Sequence, residues 1–291
     1  MEKEFNKKVF LKNDLFKKDY SFVVLPDTQN IIERKEEYYL KMMQWIRDNQ
    51  DVYNIKAVLH MGDIVNSNTL REWEVAKQGF SYLKDIPFIP MMGNHDNFDM
   101  FNKYVSYDEY KEKEYFGGTY QEGNLKHFYW FVNCIEVEYL IISLGWAPSF
   151  DVLNWASNVI NTFPNKRVII ISHALMHREG KLLKKEHMYS ITSYDGLENY
   201  PEGYQIFDHF KNCKNVVLML SGHISSNDIS MYIENDIPSL LFDNQDEDKL
   251  KHLCMMGLLS FTGNECFVNW YSFKEEALYE EKNQFKIVLK K

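Results

Sequence analysis

Cysteine is scarce in this chain, and so is anything that would mark secretion, a membrane span or a linker. The four cysteines, Cys134, Cys213, Cys254 and Cys266, show no zinc-type CxxC spacing. They read as reduced structural thiols in a cytoplasmic protein. No uninterrupted apolar stretch of about 18 residues occurs, and Met1-Glu2-Lys3-Glu4-Phe5 opens without an apolar h-region, so neither membrane insertion nor secretion is signalled. The seven prolines and 13 glycines never gather with serine into a stretch that would separate two domains, and neither an internal repeat nor a heptad array is visible. Positive charge is also short: the net charge of −9 argues against nonspecific binding to nucleic acid, and no stable nucleic-acid complex is expected.

What is present is apolar material, 45% hydrophobic and 15% aromatic over 291 residues, ample for one large core. The expected division is an N-terminal segment over 1–20, one domain over 21–275 and a C-terminal tail over 276–291. Five short apolar runs, each bounded by turn residues, read as buried strands: Phe22 to Leu25, Ala57 to Met61, Phe88 to Met92, Val168 to Ile171 and Val216 to Leu220. Helical spacing marks Glu36 to Asn49, Leu70 to Leu83 and Val152 to Phe163. The opening therefore reads strand, helix, strand, helix, strand, which implies parallel pairing with helices on the sheet faces. From Tyr115 to Leu144 the signal changes to hairpin-linked strands, and β patterning returns at Ser239 to Phe242, Gly257 to Phe261 and Cys266 to Ser272. The polar run Asp243 to Lys251 reads as a solvated loop and helix start.

A polar cluster follows each of the five apolar runs: Pro26-Asp27-Thr28-Gln29, Gly62-Asp63-Ile64-Val65, Gly93-Asn94-His95-Asp96, Ser172-His173 and Ser221-Gly222-His223. Open α/β sheets bind ligands at the carboxyl ends of their strands, so these clusters are expected to meet in one crevice. Asp27 and Asp63 would then crowd two carboxylates together, a repulsion that a metal pair resolves, with Asp63 as the bridging ligand. Asn94 offers an amide oxygen, and His173 and His223 offer imidazole nitrogens to complete a metal shell. His95 is the general-acid candidate, with Asp96 expected to orient its ring. Asn66, Asn68 and Asn97 are candidates for phosphate contact or for turns. His177, Arg178 and His187 belong to a loop that could line the substrate mouth, and Trp146 and Tyr194 could stack on an organic leaving group or pack in the core.

In order and in strand context, these motifs resemble those of the calcineurin-like metallophosphoesterases, whose pattern runs D-x-H, G-D, G-N-H-D/E, H and G-H-x-H. The match covers roughly Ser21 to Ile229, and the Asp-Thr-Gln start resembles a bacterial branch of that family. The resemblance implies a four-layer α/β/β/α sandwich with two mixed β-sheets. It also implies a dinuclear site that hydrolyses phosphoric esters with a metal-activated water, His95 assisting the leaving group. One metal would be held by Asp27, Gln29 and Asp63, the other by Asp63, Asn94, His173 and His223. Two positions depart from the pattern: Gln29 replaces its first histidine and Ser225 its last, and both fall on the same metal.

The donor chemistry then implies an asymmetric site. Imidazoles at the His173/His223 side suit Mn, Fe, Zn or Ni, while oxygen donors at the Asp27/Gln29 side suit Mg, Mn or Ca, and that second ion would be weaker and exchangeable. Asp228 is a possible replacement for the missing histidine or a loop cap. The expected activity is that of a metal-dependent phosphodiesterase or phosphomonoesterase acting on a small phosphoester. The rivals are a nuclease and a binding or scaffold protein whose metal centre has degraded through Gln29 and Ser225.

Overall fold

Strand and helix alternate from Tyr20 to Ile89 as the apolar spacing predicts. The computed structural model describes residues 18–83, 86–245, 254–273 and 275–290. In chain order its strands are β1 (Tyr20–Leu25), β2 (Ile55–His60), β3 (Phe88–Ile89), β4 (Phe116–Thr119), β5 (His127–Asn133), β6 (Glu138–Leu144), β7 (Arg167–Ser172), β8 (Met176–His177), β9 (Lys181–Leu182), β10 (Val216–Ser221), β11 (Ser230–Glu234), β12 (Ile237–Leu241), β13 (Met255–Thr262), β14 (Glu265–Ser272), β15 (Ala277–Leu278) and β16 (Phe285–Val288). One sheet has the order β15-β14-β13-β1-β2-β3, with β16 on β14; the other has the order β11-β12-β10-β7-β6-β5-β4. Both are mixed. In the first, β1, β2 and β3 are parallel while β13 runs antiparallel to β1. In the second, β6, β7, β10 and β12 are parallel while β4, β5 and β6 form the expected antiparallel meander.

Period-two alternation divides the second sheet between two cores. Ile141, Ile169, Ile171, Leu218 and Leu220 face the first sheet and pack with Phe22, Val24 and Phe261. Their neighbours Leu140, Ile142, Val168, Ile170 and Met219 point the other way, against Leu153, Ala156 and Ile160 of the helix Phe150–Thr162 and Ile206, Phe207 and Phe210 of the helix Gly203–Phe210. On the far side of the first sheet the helices Glu36–Asp48 and Leu70–Tyr82 bury Tyr39, Met42, Met43, Ile46, Trp73 and Ala76. The layers are thus α/β/β/α. Between the sheets the Tyr20 and Tyr139 hydroxyls meet at 2.9 Å, which satisfies two phenols that burial would otherwise penalise.

Several expectations need correcting. The run Phe88 to Met92 is strand only over Phe88–Ile89, with the remaining residues buried as irregular backbone that leads into the Gly93 cluster. Residues 276–290 are no tail: β15 and β16 pair with β14, and Asn283 Oδ1 accepts the Ile229 amide at 2.9 Å. Residues 1–17 and 246–251, which include the Met1 opening and most of the polar run after Asp243, lie outside the described residues. No helix among the described residues is long and apolar enough to cross a membrane.

Candidate metal centre

The five polar clusters emerge at the carboxyl ends of β1, β2, β3, β7 and β10, and backbone hydrogen bonds tie them to one another. The Asp63 carbonyl accepts the amides of Thr28 (3.1 Å) and Gln29 (3.0 Å), and the His173 carbonyl accepts that of Gly222 (3.1 Å). The loop after Asp63 is anchored to the next helix through Glu72, which accepts the amides of Asn66, Ser67 and Thr69 while Thr69 caps the helix in a reciprocal box. Asp63 (φ 48°) and His223 (φ 71°) both sit in the left-handed region, which is costly for residues with a Cβ and is typical of residues held for function.

Close approach dictates glycine at two positions. A Cβ on Gly93 would lie 2.1 Å from Asp63 Oδ1, and one on Gly222 would lie 2.0 Å from Asp27 Oδ1. Both carboxylates therefore rest against bare backbone.

Ligand atoms of Asp63, His173 and His223 all lie within 4.8 Å of one another, and all three residues are buried. His173 Nδ1 donates to the Met61 carbonyl at 2.7 Å, which turns Nε2 toward Asn94 Oδ1 (2.9 Å) and Asp63 Oδ1 (3.4 Å). Burial opposes charge on this ring, but Asp63 and the two bonds outweigh it and raise its pKa; the same atoms would hold a cation in place of that proton. His223 Nε2 donates to the Tyr189 carbonyl at 2.8 Å, so Nδ1 is the nitrogen left to bind metal. Burial and the neighbouring His173 push the His223 ring down to about 4, which keeps it neutral. Burial would raise Asp63, yet His173, His95 and His223 hold it down at about 2, so it stays ionised.

The Asp27 side is built from oxygen. Asp27 Oδ2 accepts the His223 amide at 3.0 Å, whereas Asp27 Oδ1 and Gln29 Oε1 are buried with no hydrogen-bond partner. Burial, Asp243 and Asp63 push the Asp27 carboxyl well above its ordinary value. Uncompensated buried acceptors beside crowded carboxylates are what a bound cation would relieve, so the residues fit the expected group. Asp27, Gln29, Asp63, Asn94, His173 and His223 thus converge on one place.

One role read from the sequence does not hold, and of the two readings of Asp228 the ligand one finds no support. Asp96 does not orient His95: its oxygens accept the amides of Gly93 (2.8 Å), Ile64 (2.9 Å) and Val65 (3.1 Å), so it braces the two metal-motif turns from below. Burial and Asp63 push Asp96 up to about 7 against the pull of those amides. Asp228 does not approach the site but pairs with Lys282 at 2.6 Å and accepts Asn283 Nδ2. The His95 ring is exposed and lies at 3.4 Å from the Asn66 carbonyl through Nδ1, while its backbone amide donates to Asp63 Oδ1 at 2.8 Å. Asn68 and Asn97 are structural: Asn68 bonds the His95 carbonyl and the Asn97 amide, and Asn97 caps the helix Phe98–Tyr104.

A cavity of about 460 Å³ opens over the centre, lined by Gln29, Asp63, Asn94 and His95 on one side and by Arg178, Tyr189, Tyr194, Ser225 and Gln245 on the other. Trp146 packs edge-on to His173 and Tyr194 and tilted over His223 at 5.0 Å, forming the wall behind the imidazoles. His177 and His187 stack on each other at 4.4 Å, and Arg178 between them in sequence is the residue of that loop that reaches the cavity.

Sequence reasoning passed over three site residues. His60 is buried beneath the first two motif turns, bonded to Thr28 Oγ1 and the Gly62 amide. Asp243, expected in a solvated loop, is 1% exposed, and burial pushes its carboxyl up to about 7. Gln245 reaches Asp27, Asp243, Gln29 and Asn30 with one amide. The signal was available: Ser239 to Phe242 is an apolar run followed by a polar cluster, like the other five, but the charges beyond it masked it.

Sheet order, strand-end clusters and a buried Asp/His/His group define a metallophosphoesterase type of site, and comparison with known proteins agrees. A profile described as calcineurin-like phosphoesterase matches residues 20–236, so the chain belongs to that family. It is 30% identical over 217 residues to the uncharacterized protein YvnB of Bacillus subtilis strain 168, covering 71% of this chain and 15% of YvnB. It is 25% identical over 118 residues to a probable glycerophosphodiester phosphodiesterase, GpdQ, of Arcobacter nitrofigilis, covering 40% of each. The chain therefore spans under half the length of these relatives. Among solved structures, a dimetal phosphatase from Danio rerio superposes with a TM-score of 0.59 at 10% identity, covering 93% of this chain and 99% of that one. The protein TT1561 of Thermus thermophilus gives 0.51 at 10% identity, covering 89% and 97%. At such identities these two establish the fold alone.

Proposed function

We propose that this protein is a metal-dependent hydrolase of phosphoric esters and that it prefers phosphodiesters. The observation that carries the reading is the buried Asp63/His173/His223 group with Asn94 against it: donors of metal-binding type, oriented by hydrogen bonds to Met61 and Tyr189, at the floor of an open cavity. Divalent cations held there supply positive charge that polarises a phosphoryl oxygen and activates water at neutral pH.

The remaining work falls to the chain's own residues. Asp63, held ionised, neutralises the cations and, through the His95 amide, fixes the loop that carries the acid. His95, exposed at the cavity mouth, donates a proton to the departing alkoxide. Among the described residues Arg178 is the one lysine or arginine lining the cavity, enough to bind a singly charged diester and sparse for a dianionic monoester. Tyr189 and Tyr194 offer aromatic surface to an organic ester group. The Arcobacter relative, a probable glycerophosphodiester phosphodiesterase, agrees with the diester preference.

The test compares bis(p-nitrophenyl) phosphate with p-nitrophenyl phosphate, using protein reconstituted with Mn. A kcat/KM at least about tenfold higher for the diester is expected, and the reverse order overturns the preference.

A further inference from the structure

Ser225 stands where a last histidine is absent, and its side chain, one atom beyond Cβ, reaches no partner: Oγ is buried and unbonded. The backbone next to it is met by another segment. β12 runs parallel to β10 with Leu241 opposite Ser221, the Phe242 amide donates to the Ser221 carbonyl at 2.8 Å, and the Ser226 amide donates to the Asp243 carbonyl at 2.8 Å. Sheet register thus delivers Asp243 alongside Ser225 and Ser226.

The side chains converge as well. Gln245 Nε2 donates to Asp27 Oδ2 at 3.3 Å and to Asp243 Oδ2 at 3.2 Å, so two carboxylates share one amide nitrogen, the positive end of the amide dipole. Beside it Asp27 Oδ1 and Gln29 Oε1 have no partner, although Asp27 is 5% and Gln29 4% exposed. Buried carboxylates that face a shared donor, with unpaired oxygens next to them, form a place suited to a hard cation. Asp228, the other acidic residue near Ser225 in sequence, is occupied by Lys282 and Asn283.

We propose that Asp243 takes the ligand position that Ser225 leaves, completing with Asp27, Gln29 and Asp63 an all-oxygen site for a divalent cation such as Mg or Mn. The proposal rests on the reading of Asp63/His173/His223 as a metal centre. A bound cation would take the place that the Gln245 amide nitrogen holds between the carboxylates. Replacing an imidazole by a carboxylate shifts the site's preference from borderline metals toward Mg and Mn. The centre is therefore complete in this chain, by a ligand from a different strand end.

The experiment titrates the chelator-stripped full chain with Mn and counts bound ions per chain by equilibrium dialysis and EPR. Wild type, Asp243→Asn, Asp243→Ala and Ser225→Ala are compared, with far-UV circular dichroism as the check on folding. Two Mn per chain with a spin-coupled EPR signal are expected for wild type and S225A. For the Asp243 variants the coupled signal should vanish, with one tight Mn retained and the second at least about tenfold weaker. The nearly isosteric D243N keeps the test open if D243A does not fold. Two ions held equally by D243N and wild type, one ion in wild type, or loss of both ions from folded D243N overturns the Asp243 assignment. No Mn bound by wild type overturns the metal-centre reading itself.

Discussion

Gly93 lies so close to Asp63 that an added Cβ would fall 2.1 Å from Asp63 Oδ1 and 2.2 Å from the Asp63 amide. What the added carbon meets is the buried Asp63 carboxylate and the backbone amide of the same residue, so there is no flexible side chain to yield. Gly93→Ala should therefore cost about 1–3 kcal/mol of stability. It should also reduce retained metal and lower diesterase activity by at least about 100-fold, since small misplacement of reacting groups is expensive. Thermal melts, metal analysis and kcat/KM on one preparation check this; a variant with full metal content and activity contradicts it.

Removal of the acid separates chemistry from binding. His95→Gln should leave metal stoichiometry unchanged, because the hydrogen bond from His95 to Asp63 comes from its backbone amide, which the substitution keeps. The rate on a diester with a poor, high-pKa leaving group should drop by about 100-fold or more, and much less for p-nitrophenol, which leaves unaided. Equal losses on both leaving groups would argue against proton donation.

His60 predicts a pH dependence of stability. Thr28 Oγ1 donates its one hydrogen to the Ile64 carbonyl, so His60 Nε2–H donates to Thr28, while His60 Nδ1 accepts the Gly62 amide. Both nitrogens are used in the neutral ring, and burial together with the neighbouring His173 pushes it down to about 3. The unfolded residue takes a proton near pH 6.5, the folded one does not, so between those values the unfolded state binds more protons and stability falls as pH falls. Relative to His60→Gln, which cannot be protonated, wild type should lose about 1.4 kcal/mol for each pH unit below about 6.5. Denaturant melts of both proteins from about pH 7 to about pH 4.5 measure the gap; a gap independent of pH contradicts the assignment.

The substrate wall gives a KM prediction. Arg178 lines the cavity from an exposed loop, away from the buried donors. Arg178→Ala should raise KM for a diester several-fold with kcat and metal content little changed, the signature of uniform binding. A fall in kcat with KM intact would instead place Arg178 in the chemical step.

Much of this centre is legible in the sequence, for a physical reason. Buried parallel strands must be apolar throughout and must end in turns, so Val23-Val24-Leu25 before Asp27 and Val217 to Leu220 before Gly222-His223 announce both the sheet and the place where polar groups gather. The four-layer architecture comes from the family resemblance, and the two mixed sheets agree with it. Adjacency in sequence misleads at Asp96, beside His95 in the chain, because backbone amides from another loop claim its carboxylate. Asp243 is hidden for a different reason: the charges after it give the segment the composition of a surface loop, and only the pairing of β12 with β10 places it beside Ser225 and Ser226. β16 is hidden because its pattern, with Phe285 half-buried and Lys286 and Val288 exposed, carries too little apolar signal for a strand of four residues.

The most direct test of the metal-dependent mechanism is hydrolysis of bis(p-nitrophenyl) phosphate by wild type and Asp63→Ala, each stripped with chelator and then supplied with Mn. The stripped wild type should be inactive and recover on adding Mn, while D63A, folded by circular dichroism, should stay at least about 1000-fold below it in kcat/KM. Full activity of the stripped wild type, or equal activity of D63A and wild type with Mn, would contradict the account.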